Sequence, residues 1–180
     1  MRLSISARLI GISVVTIIAL LPLFGYALSR SFLDSAQASF DQHIGAYLVF
    51  LAGRLDTNAE GEIIFSREPG DDRFEQLYSG WYWQLSFGGE VQKTSRSLWD
   101  ETLAAPSSAA DRQPLELLGP RGEPLRGAVL SVALGGLPER VQLLVTGPRQ
   151  DIDEQAASFN WLLARSLGLL GLILVVALVV

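Results

Sequence analysis

Leu9–Ser29 reads LIGISVVTIIALLPLFGYALS, a run with no charged residue, closed by Arg8 on one side and Arg30 on the other. At about 1.5 Å per helical residue it extends about 30 Å, the thickness of a bilayer hydrocarbon core. The expected reading is a transmembrane helix over residues 9–29, preceded by a short segment, residues 1–8. Pro22 marks a possible kink within it. A second run, Leu162–Val180 (LLARSLGLLGLILVVALVV), holds a single charge, Arg165, near its start. A long side chain there can snorkel to the interface, so a second span over residues 161–180 is expected. The run reaches Val180 without a polar flank, from which a longer parent chain is expected.

Between the two runs the composition changes. All 19 acidic residues of the chain lie from Asp34 to Glu154, and with ten basic residues in that stretch it carries about nine net negative charges, against −5 for the whole. Arg2 and Arg8 precede the first run with no acidic neighbour, so the positive-inside rule places the N-terminus in the cytoplasm. Residues 30–160 then form an extracytoplasmic domain, periplasmic in a Gram-negative cell, and the expected location is the bacterial inner membrane. The competing reading is a cleaved signal peptide with Ala36-Gln37-Ala38 as its processing site. Against it stand the length of the apolar run and a helical pattern that continues beyond it.

That pattern is carried by Leu33, Phe40, Ile44, Tyr47, Leu48, Leu51 and Leu55, spaced by threes and fours, with Asp34, Gln37, Asp41 and Arg54 between them. A helix continuous with the first span is expected to end near Asp56, before the turn composition of Thr57–Gly61. Leu33, Phe40, Ile44, Tyr47, Leu51 and Leu55 form a stripe wider than one sheet face need cover, so these helices are expected to serve a homodimer interface as well. After Gly61 the period becomes that of strands: Glu62–Ser66, a hairpin of Tyr82–Phe87 and Val91–Ser95 about Gly88-Gly89, then Leu115–Leu118, Leu125–Leu134 and Val141–Thr146. These predict a meander of five or six strands, with a surface loop over 104–114. Asp151 and Glu154 have the spacing of a capping box, so a helix is expected to lead from there into the second run. The expected fold class is α+β: an antiparallel sheet with a long N-terminal helix, flanked by two transmembrane helices.

Several chemistries are excluded. The absence of Cys removes disulfides and thiolates, and a single His, His43, removes His-rich metal sites. His43 also sits in a helical pattern far from any Gly-flanked Ser, so no nucleophile system and no catalytic residue are expected. Gly135-Gly136 is followed by Leu-Pro rather than by Lys-Ser or Lys-Thr, so no phosphate-binding loop is expected. Neither a cofactor nor a nucleic-acid partner is expected of this stretch.

Two aromatic words remain, Tyr78–Leu85 (YSGWYWQL) and Ser95–Asp100 (SRSLWD), with three of the four Trp residues between them. Trp81, Trp83 and Trp99 are candidate walls of a ligand pocket. Alternation along Trp81, Trp83 and Leu85 also fits one buried face of a strand, and on that reading Trp83 and Trp99 are mostly buried. Glu68, Asp71, Asp72 and Glu75 are a candidate divalent-cation site, carboxylates being hard oxygen ligands. The competing reading is a solvated face interrupted by Arg67 and Arg73, and the spacing is not that of an EF-hand.

Asp72-Arg73-Phe74-Glu75, SGWYWQL and SRSLWD, followed by a helix into a second span, together resemble the periplasmic sensor region of proteobacterial two-component sensor histidine kinases with a PhoQ-like architecture. The resemblance covers about residues 60–180. It implies a PAS-like sensor domain of the PDC (Cache) type, a membrane-bound homodimer, a small-molecule, ion or protein signal, and a divalent cation as one such signal. It also implies a cytoplasmic kinase using ATP and Mg, acting on a response regulator. No residue of this stretch corresponds to those cytoplasmic parts, so the stretch is expected to be non-catalytic. The input module of a chemoreceptor or cyclase, or a non-signalling membrane protein, makes the same demands on these residues.

Overall fold

The computed structural model describes residues 5–67, 69–105 and 111–179. Along the chain run helix α1 (Ile5–Ala52), strands β1 (Leu55–Thr57), β2 (Ile63–Phe65), β3 (Tyr82–Phe87), β4 (Glu90–Thr94), β5 (Leu115–Leu118), β6 (Pro124–Val132) and β7 (Val141–Pro148), and helix α2 (Gln150–Val179). Two short 3-10 turns, Asp72–Phe74 and Arg96–Leu98, flank the β3–β4 hairpin. The class is α+β, as the periodicity predicts. The chain divides into two compact units, one holding α1 up to Gln37 with α2 from Ile152, the other Ala38–Asp151.

In the helical unit both helices are long and apolar enough to cross a membrane, with mean hydropathy of 2.3 and 2.2 over their most apolar windows. Ile12, Leu23, Phe24, Leu172 and Val176 are exposed. The helices meet at small residues: a Cβ at Gly25 would stand 2.9 Å from Leu167 Cδ1, and one at Gly171 would stand 3.1 Å from Leu21 Cδ1. Phe32 and Phe159 stack with ring centroids 4.0 Å apart. Pro22 lies inside α1, and the helix is assigned on both sides of it.

Two helix boundaries differ from the sequence reading. α1 ends at Ala52 rather than near Asp56, because Leu55, Asp56 and Thr57 leave it to pair with Phe65, Ile64 and Ile63. Asp and Thr are poor helix formers, and the EIIF segment offers them a strand partner. α2 begins at Gln150, so Asp151 lies in its first turn and is not the N-cap. Asp151, Asp153 and Glu154 still suit the positive end of the helix dipole.

The unit Ala38–Asp151 is built on a five-stranded antiparallel sheet ordered β4-β3-β7-β6-β5. This corrects the expected meander: β7 returns to pair with β3, Trp83 opposite Val145 and Leu85 opposite Leu143. The reason lies in composition. β4 is EVQKT, exposed at four of its five positions, and its polar side chains suit a sheet edge. β7 is buried from Leu143 to Gly147 and suits the centre. Gly88 and Gly89 both have positive φ, which the two-residue turn of the β3–β4 hairpin requires.

Both faces of the sheet are covered. Phe40, Ile44, Leu48 and Leu51, one stripe of α1, are buried, with Leu51 and Leu48 fully so. They share the core with Trp83, Leu85, Leu143, Val145 and Ala128, which strand alternation puts on one side. On the other side Tyr82, Leu125, Val129 and Leu144 cluster with Leu98 and Leu103 from the segment after β4. The stripe expected to form a dimer interface is therefore largely spent within the chain, on the sheet.

Candidate functional site

The first aromatic word is held by hydroxyls. Ser79 Oγ accepts from Trp81 N (3.1 Å) and donates to Arg73 O (2.7 Å). Gly80, at φ +84°, lies so close to Pro148 that a Cβ would stand 2.8 Å from its ring. The second word closes on the first: Ser97 Oγ donates to Trp81 O (2.6 Å), Ser95 Oγ accepts from Trp83 N (3.2 Å), and the two hydroxyls are 2.8 Å apart. Burial of these groups costs little because all are partnered. The two words thus form one hydrogen-bonded unit, though not an aromatic cage.

Trp81 is half-buried between Phe40 and Tyr47, with ring centroids at 5.7 and 5.8 Å, and the Arg73 guanidinium lies 5.0 Å from its ring. Trp83 is 8% exposed and meets Phe65 edge to face at 5.0 Å, so it serves packing, as the strand alternation predicts. Trp99 departs from expectation: it is 55% exposed. It caps the Arg96–Leu98 turn at φ 57°, ψ −123°, and Leu98, rather than Trp99, lies in the core. Trp81 and Trp83 share one side of β3, whereas Leu98, next to Trp99, packs on the other.

The acidic candidates are dispersed among separate tasks. Asp71 caps the Asp72–Phe74 turn, accepting from Arg73 N (3.0 Å), and also accepts from the Tyr47 hydroxyl (2.6 Å). Glu75 pairs with Arg96 at 3.5 Å. Asp72 belongs to the turn itself, and Glu68 lies outside the described residues. Among the described residues no group of three His, Cys, Asp or Glu stands close enough to hold a metal ion. Burial pushes the Asp71 carboxyl up, but the Tyr47 hydroxyl and Arg73 outweigh it and bring it below the usual value. Burial, helped by Asp71, holds the Tyr47 phenol above its usual value, so the proton stays on the tyrosine.

An open groove of about 900 Å³ runs between α1 and the segment around Asp71, lined among others by His43, Tyr47, Phe50, Arg54, Arg67 and Asp71. None of the three candidate Trp residues lines it. Its charges are mixed, which gives it no evident preference for one sign of ligand.

Sequence reasoning missed a cluster on the other half of the domain. Arg126 donates to both oxygens of Asp41, through Nε at 2.6 Å and Nη2 at 2.8 Å. Its side chain is only 14% exposed, and its Nη1 stands 3.6 Å from Glu116, which in turn accepts from Arg149 at 2.5 Å. The signal in the sequence was the place of Asp41, directly after Phe40 in the apolar stripe, together with the alternation of Arg126 with Ala128 and Leu130 on β6. On the far face, Tyr82 donates to Glu123 Oε1 (3.0 Å), and burial first, then this bond, pushes its phenol up to about 12. Gln84 grips the backbone of Leu103 with both ends of its amide, at 3.0 and 2.7 Å.

No known protein family, curated protein or solved structure matches this chain. Its class is therefore defined by its own geometry: an α+β domain on a five-stranded antiparallel sheet, joined to two long apolar helices.

Proposed function

We propose that this chain is the signal-input region of a membrane-bound two-component sensor histidine kinase, with α1 and α2 crossing the membrane and Ala38–Asp151 as a PAS-like periplasmic sensor. The observation that carries the reading is connectivity. A sheet whose first and last strands pair at its centre, β3 with β7, is entered by α1 and left by α2, with Arg149 alone between β7 and α2. α1 is a single helix from its apolar run into the stripe that covers the sheet. The exposed Ile, Leu and Val of both apolar runs favour lipid over water as their surroundings. A change in the packing of the sheet then has helices by which to reach a cytoplasmic output. The groove of about 900 Å³ beside Tyr47 and Asp71 is where we place the action of a signal.

A chimera joining residues 1–180 to the dimerisation and ATP-binding core of a reporter histidine kinase tests this. One-residue insertions after Asp34 are expected to change phosphotransfer, because they rotate one part of α1 against the other by about 100°. Phosphotransfer indifferent to such insertions, or a sheet domain found on the same side of the membrane as the kinase core, defeats the proposal. In that case the input module of a chemoreceptor or cyclase, or a plain membrane anchor, takes its place.

A further inference from the structure

Asp41, Arg126, Glu116 and Arg149 come from four different places in the domain: α1, β6, β5 and the residue immediately before α2. We propose that they act as a charge relay, in which the hold of the sheet on α1 at Asp41 and its hold on Arg149, the residue that leads into α2, depend on one another through the shared carboxylate of Glu116. The inner link, Asp41 to Arg126, is two-pronged and mostly shielded from water, with the two side chains 27% and 14% exposed. Such fork-to-fork pairs are strong and directional. The outer link is different in kind: Glu116 is 58% exposed and stands between two guanidiniums, 3.6 Å from Arg126 and 2.5 Å from Arg149.

One carboxylate that serves two cations couples them. When Arg126 is drawn fully onto Asp41, Glu116 is released to Arg149, and when Asp41 is lost, Arg126 competes for Glu116. Arg149 is fixed at its backbone too, its N–H donating to Pro124 O at 3.0 Å, next to the strand pairing of Arg126 with Gly147. A disturbance at Asp41 therefore has a continuous polar path to the start of α2. Exposed ion pairs are weak and screened by salt, which makes the Glu116 link the adjustable one.

The test is hydrogen exchange on the full chain in lipid nanodiscs, comparing wild type with Asp41→Asn, Glu116→Gln and the double variant. Glu116→Gln alters an exposed side chain and leaves the core intact. Asp41→Asn is expected to speed exchange at the Arg149 amide and in the first hydrogen-bonded turn of α2 by about threefold or more, with the double variant falling short of the product of the two single effects. Raising the salt concentration should reproduce part of the Glu116→Gln effect in wild type and none of it in the variant. Effects of Asp41→Asn confined to α1 and β6, or single effects that multiply independently, overturn the relay. The relay bears on signalling only if the proposed function holds, but this readout uses no kinase: a silent chimera with coupled exchange rejects the function and keeps the relay.

Discussion

The ring of Phe40 occupies the place that a side chain at residue 147 would need: a Cβ on Gly147 would stand 2.7 Å from Phe40 Cζ and 3.1 Å from Trp81. β7 at this point lies directly under α1, and only the absence of a side chain lets it. Gly147→Ala is expected to destabilise the domain by about 1–3 kcal/mol through overpacking. Combined with Phe40→Leu, the loss should be smaller than the sum of the two. Thermal melts of the three variants check this, and strict additivity counts against the contact.

The two tryptophans once grouped together should part company under mutation. Trp83→Ala removes a buried ring and is expected to cost about 3–5 kcal/mol. Trp99→Gly removes an exposed ring from a backbone conformation that favours glycine, where strain of about 1–3 kcal/mol is stored. Its melting temperature should stay level or rise. A steep fall for Trp99→Gly means that the exposed ring has a packing role.

Tyr82 predicts a response to base. Its phenol is raised from 10.0 to about 12 in the folded chain, so its contribution is complete below pH 10 and is lost as pH climbs through 12. Base-induced unfolding should therefore set in between those values and be blunted in Tyr82→Phe, as followed by phenolate absorbance and circular dichroism. Asp71 acts in the opposite direction. Its lowered carboxyl adds stability above its unfolded value, and that is lost as pH falls through the folded one.

If the proposed sensor is a homodimer through α1, the contact belongs to the face left over from the sheet. Single cysteines at Ala46, Val49 and Phe50, all exposed, should form disulfides in membranes, and cysteines at Ile44, Leu48 and Leu51 should not. Cross-linking at the second set instead requires α1 to leave the sheet.

Much of this fold was legible because local chemistry and tertiary placement agree. Tyr82–Phe87 and Leu115–Leu118 appear with the bounds their alternation predicts, and Phe40, Ile44, Leu48 and Leu51 lie on the buried side their spacing requires. What escaped was set by partners distant in sequence. Nothing near β7 says that it pairs with β3, and nothing near Asp41 names Arg126. Leu55 read as the last turn of a helix because Ile63–Phe65, its strand partner, competes only once the chain has folded back. The candidate sites were the least legible part: a Trp placed by alternation is correct for Trp83 and fails for Trp99, which stands outside any strand, at the end of a 3-10 turn with a positive φ, and is exposed.

The pairing of β3 with β7 also sets a timetable for synthesis. About sixty residues separate Trp83 from its partner Val145, so the inner edge of β3 stays unpaired until nearly the whole domain has been made. A ribosome paused near residue 135 would hold out a hairpin whose apolar edge is open to any other strand. The last residue of β7 to pair with β3, Thr146, comes only four residues before α2. Truncated products of this chain should accordingly aggregate when they stop within β5 or β6 and turn soluble in detergent only once β7 is included, a difference that pulse-labelling of nested truncations would reveal.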